Sequence, residues 1–593
     1  MKIRYIDGNR LYNAFLAGGA AVISQQDYLN KINVFPVPDA DTGTNLASTM
    51  RSIIEGSRLY RSLKKTARSI ADSALIGARG NSGIIFAQFI HGLSMEMEDG
   101  NRTNVRDFAK TARSSLKYVY ESIMEPVEGT MITVIKDWVN SLDEQSSRTT
   151  DFSSLIAETL KVARKSLADT PKKLKVLADA GVVDAGGKGF VDFLEGIWEF
   201  ISRGKLKRVY NLEQLRGITI EPLDHVRDHL TGPRFCTEAV ISNCRLSLPR
   251  FREKIKNYGD SLIIAGSPEK MRIHIHSDDP AQLFYQIKNW GVISQLKVDD
   301  MQKQFEVSHQ RKYPIALVTD TSCDLPEEII SSYQIQRIPF SLSFGDNLFL
   351  DKITITPEQF YEMLKNNRNH PTSSQPSRQT IQNFYSFLTS HYRDIVAVHI
   401  SDKLTGIYQA TKSVAEKFEN NNISVINSRQ LTVSLGLIVL RIAKDIAAGK
   451  DFNEINRLAD EYISKTDIFV DVNTLKYMVR GGRVSPFKGA LAGLLNLKPI
   501  VSLDAEGKAA AYGKSFSRRV NMKKITAIIE NIARKNALWN YAIVHAQAES
   551  RAKEYGQKLT DILGIEPAYI MNISPVVGVH NGIGAIGIGI MRK

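Results

Sequence analysis

The hydrophobic pattern changes its period twice along this chain, and those two changes constrain the fold more than any other feature. Residues 1–205 carry helical periodicity, as in ALIGARGNSGIIFAQFIHGL (74–93) and DFAKTARSSLKYVYESIM (107–124), broken by short Gly-containing loops. That pattern predicts an all-α bundle. A polar connector follows at about 206–230. Residues 235–300 then alternate strand-like CTEAVISNCRLS, DSLIIAGS and MRIHIHS with helical REKIKNYG and AQLFYQIKNWG, which predicts a small α+β unit. After the polar stretch KQFEVSHQRKY (303–313), a strand–helix alternation begins at Pro314, with PIALVTDTS, DIVAVHIS, ISVINS and YAIVHA as strands. This predicts an α/β domain with its sites in loops at the carboxyl ends of strands. The expected architecture is multidomain: 1–205 helical, 230–305 α+β, and 314–593 α/β, with no internal repeat.

The length of 593 residues suits roughly three to five domains, and 43% apolar with 24% charged residues is ordinary globular composition. The net charge of +14 is spread along the chain, with only short clusters such as Lys172-Lys173 and Arg518-Arg519. Without a basic tail or interleaved aromatics and arginines, no nucleic-acid partner is expected. Anionic small molecules or transient contact with a membrane surface remain as uses for the charge. Three cysteines argue for a reducing compartment rather than a disulfide framework. The apolar run at 14–23 reads as part of an amphipathic helix from about Gly8 to Asn30. The nearest membrane-span candidate, 573–591, contains His580, Asn581 and five glycines, so no transmembrane segment is expected and the reading is cytoplasmic.

One loop, NVFPVPDADTGTN (33–45), places Asp39 and Asp41 one residue apart. Two unpaired carboxylates so close would repel, and a divalent cation removes that cost. Pro36 and Pro38 restrict the backbone that holds them. Thr42, Gly43, Thr44 and Asn45 supply amide donors and short polar side chains suited to phosphate. An Asx turn capping the next helix is the other reading of these residues.

With GARGNSG (77–83), EGTMITV (128–134) and GVVDAGGKGF (181–190), this loop resembles the nucleotide-binding domain of the dihydroxyacetone kinase L-subunit family, as found in the kinase component of bacterial fatty acid kinases. The resemblance covers about residues 1–200 and implies an eight-helix barrel that holds ATP through Mg²⁺. It implies that Asp39 and Asp41 bind metal. It also places Thr42, Gly43, Thr44, Asn45, Asn81, Ser82, Thr130, Asp184, Ala185 and Gly186 around the nucleotide. The family's third aspartate has no equivalent here. The nearest polar residue, Asn33, stands in as a neutral ligand or as none.

In RIHIHS (272–277), period-two alternation puts His274 and His276 on one strand face. With Cys236 on another predicted strand, they make a Cys-His-His set for Zn²⁺, or simply an exposed polar edge. FCTEAVI (235–241), GDSLIIAG (259–266) and MRIHIHSDDP (271–280) resemble the middle domain of the fatty acid kinase component, where a Cys and two His bind zinc. Catalytic, structural and dimerising roles all stay open, and with them a homodimer.

Residues 314–593 resemble the DegV family of fatty-acid-binding proteins through VTDTSCDLP (318–326), TSSQPS (372–377), SDKLTGIYQAT (401–411), LKYMVRGGRVS (475–485), LLNLKPIVSLDAEGKAAAYGK (494–514) and VVGVHNGIGAIGIG (576–589). The resemblance implies a two-lobed α/β domain with a long acyl chain in an apolar tunnel and its carboxylate held by hydroxyls. Thr405 and Gly406 open a helix after a strand, which suits an anion. Ser373, Ser374 and His580 complete the expected carboxylate site. Thr405 replaces the family's usual serine and Ser373 its usual threonine, so each hydroxyl is kept. Arg483 is the candidate for the head-group network or a kinase contact, and Cys323 receives no role.

Together the resemblances imply ATP-dependent phosphorylation of a bound long-chain fatty acid to an acyl phosphate, with carrier and kinase fused and a downstream acyltransferase as consumer. The alternatives are a lipid-binding or transfer protein with a regulatory kinase half, and a kinase acting on a small hydroxyketone such as dihydroxyacetone.

Overall fold

The computed structural model describes residues 2–35, 41–123, 126–203, 232–367, 369–482, 498–515 and 517–593. The chain divides into two compact units, Met1–Asp278 with Trp290–Ser308, and Asp279–Asn289 with His309–Lys593.

The first unit opens with helices α1 (Gly8–Ser24), α2 (Gln26–Lys31), α3 (Thr42–Gly56), α4 (Leu63–Gly77), α5 (Gly80–Glu96), α6 (Val105–Ser122), α7 (Met131–Ser146) and α8 (Phe152–Ala168). The short α9 (Thr170–Lys173) and α10 (Lys175–Ala180) lead to α11 (Ala185–Arg203). Local sequence sets the helix starts. Asp7, Ser62, Asn104 and Asp151 each accept a hydrogen bond at an N-cap. Eight of the helices close a ring: α1 packs on α3, then α4, α5, α6, α7, α8 and α11 follow in turn, and α11 returns to α1. The domain is therefore an eight-helix barrel. Its interior is dense in aromatic rings packed edge to face, with Phe86 4.9 Å from Phe193 and Trp138 5.5 Å from Phe190. These rings line an apolar cavity of about 370 Å³. A two-residue strand pair, β1 (Ile6–Asp7) and β2 (Arg102–Thr103), joins the chain near its start to the loop before α6.

The same unit carries an antiparallel sheet of β3 (Phe235–Ser242), β4 (Asp260–Ser267), β5 (Lys270–Ser277) and β6 (Val292–Asp300), in the order β4-β5-β3-β6. Ile263 and Ala265 of β4 join the apolar core of the helices. Gly266 N donates to Gln88 Oε1 of α5 at 2.6 Å. Burial on one face fixes the register, which sets Cys236 opposite His276 and Glu238 opposite His274.

The second unit is α/β. One sheet is wholly parallel: β7 (Ile315–Asp320), β8 (Gln336–Ile338), β12 (Asp394–His399) and β13 (Asn422–Asn427) in the order β13-β12-β7-β8. A small antiparallel sheet holds β9 (Ser341–Phe344), β10 (Asn347–Leu350) and β11 (Thr372–Ser374). A six-stranded sheet forms the second lobe: β14 (Thr466–Asp471), β15 (Lys498–Leu503), β16 (Ala509–Ser515), β17 (Leu538–His545), β18 (Ile570–Asn572) and β19 (Ile586–Arg592). This sheet is mixed: β18 pairs with β17 in parallel, while every other pairing in it, including β19 between β14 and β17, is antiparallel. The Gly-rich stretch that came nearest to a membrane span is thus a short helix, Pro575–Asn581, followed by a central strand. Among the described residues no helix is long and apolar enough to cross a membrane.

Candidate functional site

In the barrel, α3 begins against α2 with almost no space between them. A Cβ on Gly43 would lie 2.0 Å from the Gln26 carbonyl oxygen, so only glycine allows this approach. Asn30, which sequence reasoning did not single out, fastens the same corner. Its amide donates to Thr44 Oγ1 at 3.0 Å and its Oδ1 accepts from Thr44 N at 3.0 Å. Asp41 stands at the N-cap of α3, but its side chain makes no capping hydrogen bond. Its carboxylate therefore is not used as a local turn device. Asn33 is buried, and its Oδ1 accepts from Thr42 Oγ1 at 2.9 Å. Thr42 in turn lies 3.4 Å from Ser82 Oγ, and Asn81 Oδ1 is buried with no hydrogen-bond partner. Asp39 and Arg483 lie outside the described residues.

The second wall comes from the β-sheet. Cys236 Sγ is 3.9 Å from His274 Nδ1, and the rings of His274 and His276 are 5.0 Å apart. Ligand atoms of Cys236, His274 and His276 all lie within 4.8 Å of one another. His274 Nδ1 faces Glu238 Oε1 at 3.3 Å, while His274 Nε2 is buried without a partner. His276 Nδ1 lies 3.6 Å from Asp260 Oδ1. One cavity of about 80 Å³ is lined by both walls: Asn33, Asp41, Thr42, Asn45, Asn81 and Ser82 from the helices, and Cys236, His274 and His276 from the sheet.

Glu238 and Lys297, also on this cavity, were missed by sequence reasoning. Glu238 is 1% exposed and meets four partners. They are Gly80 N at 2.8 Å, Arg79 Nη1 at 3.2 Å, Arg272 Nη2 at 2.7 Å and His274 Nδ1 at 3.3 Å. Burial alone would raise its pKa. Arg272, the His274 hydrogen bond, Lys297 and Arg79 outweigh burial and hold it well below the carboxylate range. The Cys236 thiol moves the other way, pushed well up by burial and by Glu238. Period two in FCTEAVI puts Glu238 on the same face as Cys236, and that was the signal available in the sequence.

Thr130, Asp184, Ala185 and Gly186 form a separate cluster that does not line this cavity. Thr130 Oγ1 donates to the Val127 carbonyl. Asp184 Oδ2 accepts from Gly187 N at 2.6 Å, and a Cβ on Gly186 would lie 3.1 Å from Met131 Cε, where α11 starts beside α7. Burial raises the Asp184 pKa to about 6, against the backbone hydrogen bonds from Gly187 and Met131.

In the second unit, Ser373 on β11 has its Oγ 3.4 Å from His580 Nε2. Gly406 is the N-cap of the helix Ile407–Ala415, and a Cβ there would lie 2.7 Å from Gln375 Oε1. Gly406 therefore stands beside Gln375, the residue that follows β11 with its Ser373 and Ser374. His580 lies in the last turn of the helix Pro575–Asn581, and Gly481 packs on its ring. Behind this helix is a buried polar frame. Asp324 Oδ1 accepts from Lys352 Nζ at 2.7 Å and from Ser574 N at 3.0 Å, and Asp351 Oδ1 accepts from Val576 N at 3.2 Å. Burial pushes the Asp351 carboxyl up to about 7, with Lys352 only partly opposing it.

Three family models match in succession. A DAK2 domain covers residues 36–199, the middle domain of a fatty acid kinase-like family 232–308, and the DegV family, described as uncharacterised, 314–593. The chain thus joins a DAK2 region, a fatty acid kinase-like middle region and a DegV region. Relatives include an uncharacterised protein of Staphylococcus saprophyticus, 31% identical over 50% of this chain and 56% of that protein. Another, from Staphylococcus aureus, is 30% identical over 51% of this chain and 57% of that protein. The chain therefore spans little more than half the length of the curated relatives it matches. Solved structures that resemble it include DegV, a fatty acid binding protein from Bacillus subtilis, at 25% identity and TM-score 0.45, over 48% of this chain and 100% of that one. A fatty-acid-binding DegV family protein from Thermus thermophilus matches at 24% identity and TM-score 0.45, over 47% of this chain and 100% of that one.

Proposed function

We propose that this protein transfers the γ-phosphoryl group of ATP to the carboxylate of a long-chain fatty acid held by its DegV region. One observation carries the reading. The DAK2-region residues Asp41, Thr42, Asn81 and Ser82 line one cavity with the middle-region set Cys236, His274 and His276. A polar pocket with convergent donors and carboxylates suits a phosphorylated ligand.

The residues fit the cations that such chemistry uses. The Asp41 carboxylate makes no capping bond and Asn81 Oδ1 is an unpartnered buried oxygen, so hard oxygen donors are present for Mg²⁺. Asp39 and Asp41 would hold it, with Asn33 as a neutral neighbour. The unpartnered Nε2 of His274 next to Cys236 and His276 fits Zn²⁺. Bound Mg²⁺ neutralises phosphate charge, and bound Zn²⁺ is a Lewis acid or a structural clamp.

What the chain's own groups do follows from the chemistry. A carboxylic acid is ionised near neutral pH, so no general base is needed. Its oxygen forms a bond to the γ-phosphorus, the bond from that phosphorus to the bridging oxygen breaks, and ADP leaves with the electron pair. Positioning and charge neutralisation then carry the rate. Ser373, Thr405, Gly406 and His580 would hold the acyl carboxylate, and fusion raises its local concentration into about the millimolar range where the connecting segment spans the gap.

The test is the full-length protein with Mg-ATP and a C16–C18 fatty acid. Acid-dependent ADP release with acyl phosphate trapped by hydroxylamine is expected. Intact nucleotide binding without acid-dependent ADP release would sink the reading in favour of a lipid carrier with a regulatory nucleotide domain. ADP release driven by dihydroxyacetone instead would point to a hydroxyketone kinase.

A further inference from the structure

Phosphoryl transfer to a carboxylate brings two anions together, so the site needs a positive charge where they meet. The helical wall offers none among its described cavity residues: Asn33, Asp41, Thr42, Asn45, Asn81 and Ser82 are neutral or acidic. The sheet wall is different. Glu238 of β3 is bound by Arg272 of β5 and, from the helical region, by Arg79 at the N-cap of α5. Lys297, on β6, also lines the cavity, and its ammonium is paired with Asp299 at 2.6 Å. Among the described residues that line the cavity, Lys297 is thus the one Lys or Arg, because Arg79 and Arg272 are tied to Glu238 and are not part of the lining. Among those cations Arg272 is 0% exposed and committed to Glu238, whereas the Lys297 side chain is 43% exposed.

We propose that Lys297 is a catalytic residue of the transfer, its ammonium touching the phosphoryl group as it passes from ATP to the carboxylate. This rests on the phosphotransfer reading above. Asp299 holds the ammonium by one of its three donors, which leaves the others for phosphoryl oxygens. Pairing with the Asp299 carboxylate at 2.6 Å favours the charged form of the ammonium. Glu238 supports it from behind: by accepting from Gly80 N, it fixes the sheet against the start of α5, where Asn81 and Ser82 stand.

The experiment compares Lys297→Met and Lys297→Arg with the unaltered full-length protein. Binding of ADP alone, and of ADP with Mg²⁺ and aluminium fluoride as a mimic of the phosphoryl in flight, is measured by calorimetry. Lys297→Met should weaken the fluoride complex by about 30-fold or more, with ADP alone changed by less than about threefold. Its kcat should fall about 100-fold with KM for ATP nearly constant, and Lys297→Arg should recover about tenfold of the loss. Lys297→Met that binds the fluoride complex like the unaltered protein overturns the assignment. So does an equal loss of ADP and fluoride-complex binding, which would mean a structural role. Failure of the acid-kinase reading is separate: no acid-dependent ADP release, with the fluoride discrimination still dependent on Lys297, would remove the fatty acid acceptor and uphold Lys297.

Discussion

Glu238 and Asp351 are both buried carboxylates, at 1% and 0% exposure, yet their pKa values are displaced in opposite directions. Burial penalises the charge on each. Around Glu238, Arg272, Lys297 and Arg79 overcome that penalty and hold it ionised. Around Asp351 only Lys352 opposes burial with a positive charge, and the carboxyl is pushed up to about 7. The first unit therefore gathers charged groups of both signs at its cavity, which suits the proposed binding of polyphosphate and cations. The proposed carboxylate candidates of the second unit are hydroxyls, an imidazole and a backbone amide, a set that would suit a singly charged head group.

The comparison is broken most directly by removing charge from the first site. Asp41→Asn should lower acid-dependent ADP release by about 1,000-fold, equivalent to about 4 kcal/mol of transition-state stabilisation. Fatty acid binding by the DegV region should be unchanged. The check is steady-state kinetics beside lipid-binding measurements on the same preparation, and a variant within threefold of the unaltered rate would refute a metal role for Asp41.

Much of this layout was legible from the residues, and the rest was hidden for definite reasons. The helical, α+β and α/β regions follow from hydrophobic period, which depends on local sequence alone. Closure of the barrel does not, because α11 meets α1 across most of the domain. The mixed order of the six-stranded sheet is hidden for the same reason. Period two correctly put the rings of His274 and His276 on one side, 5.0 Å apart. It could not show that Glu238 is buried, since a polar residue in a strand reads as solvent-facing until its neighbours are known. Motif order does not say which residues share a cavity. Thr130 and Asp184 belong to the same motif series as Asn81, but they gather at the start of α11 and not on the shared cavity.

In the second unit, shape should matter more than charge. A Cβ at Gly481 would lie 2.2 Å from His580 Nδ1, so Gly481→Ala must displace the imidazole. Overpacking of this kind costs about 1–3 kcal/mol. Fatty acid retention should fall about tenfold, with nucleotide binding untouched. Retention equal to the unaltered protein, measured by lipid co-purifying with each variant, would show that His580 does not need its present position.

Asp351 sharpens the contrast through pH. Its folded pKa of about 7 lies above the ordinary 3.8. The folded state therefore keeps a proton that the unfolded chain has already released. Stability from this group is complete below about pH 4 and declines as pH rises through about 7. Between pH 6 and 8 the loss should be about 1.4 kcal/mol. Asp351→Asn should flatten that part of the stability curve, as read by denaturant unfolding at both pH values. An unchanged slope would mean that the carboxyl is ionised in the fold at both pH values, and the contrast with Glu238 would have to be given up.

The smallest effect tests how the acyl carboxylate itself is held. Ser373 Oγ lies 3.4 Å from His580 Nε2, a long contact for a hydrogen bond, so the pair is loosely joined when no head group lies between them. A carboxylate that accepts from both groups would gain more from each than they gain from one another. Ser373→Ala removes one neutral donor, worth about 0.5–1.5 kcal/mol. Fatty acid affinity should then fall about fivefold, with the folding midpoint barely moved. His580→Ala should cost more, because the imidazole is the larger polar group in that helix turn. If Ser373→Ala instead lowered stability as much as affinity, the hydroxyl would be acting within the protein and not on the ligand. In that case the neutral site of the second unit would rest on Thr405, Gly406 and His580 alone.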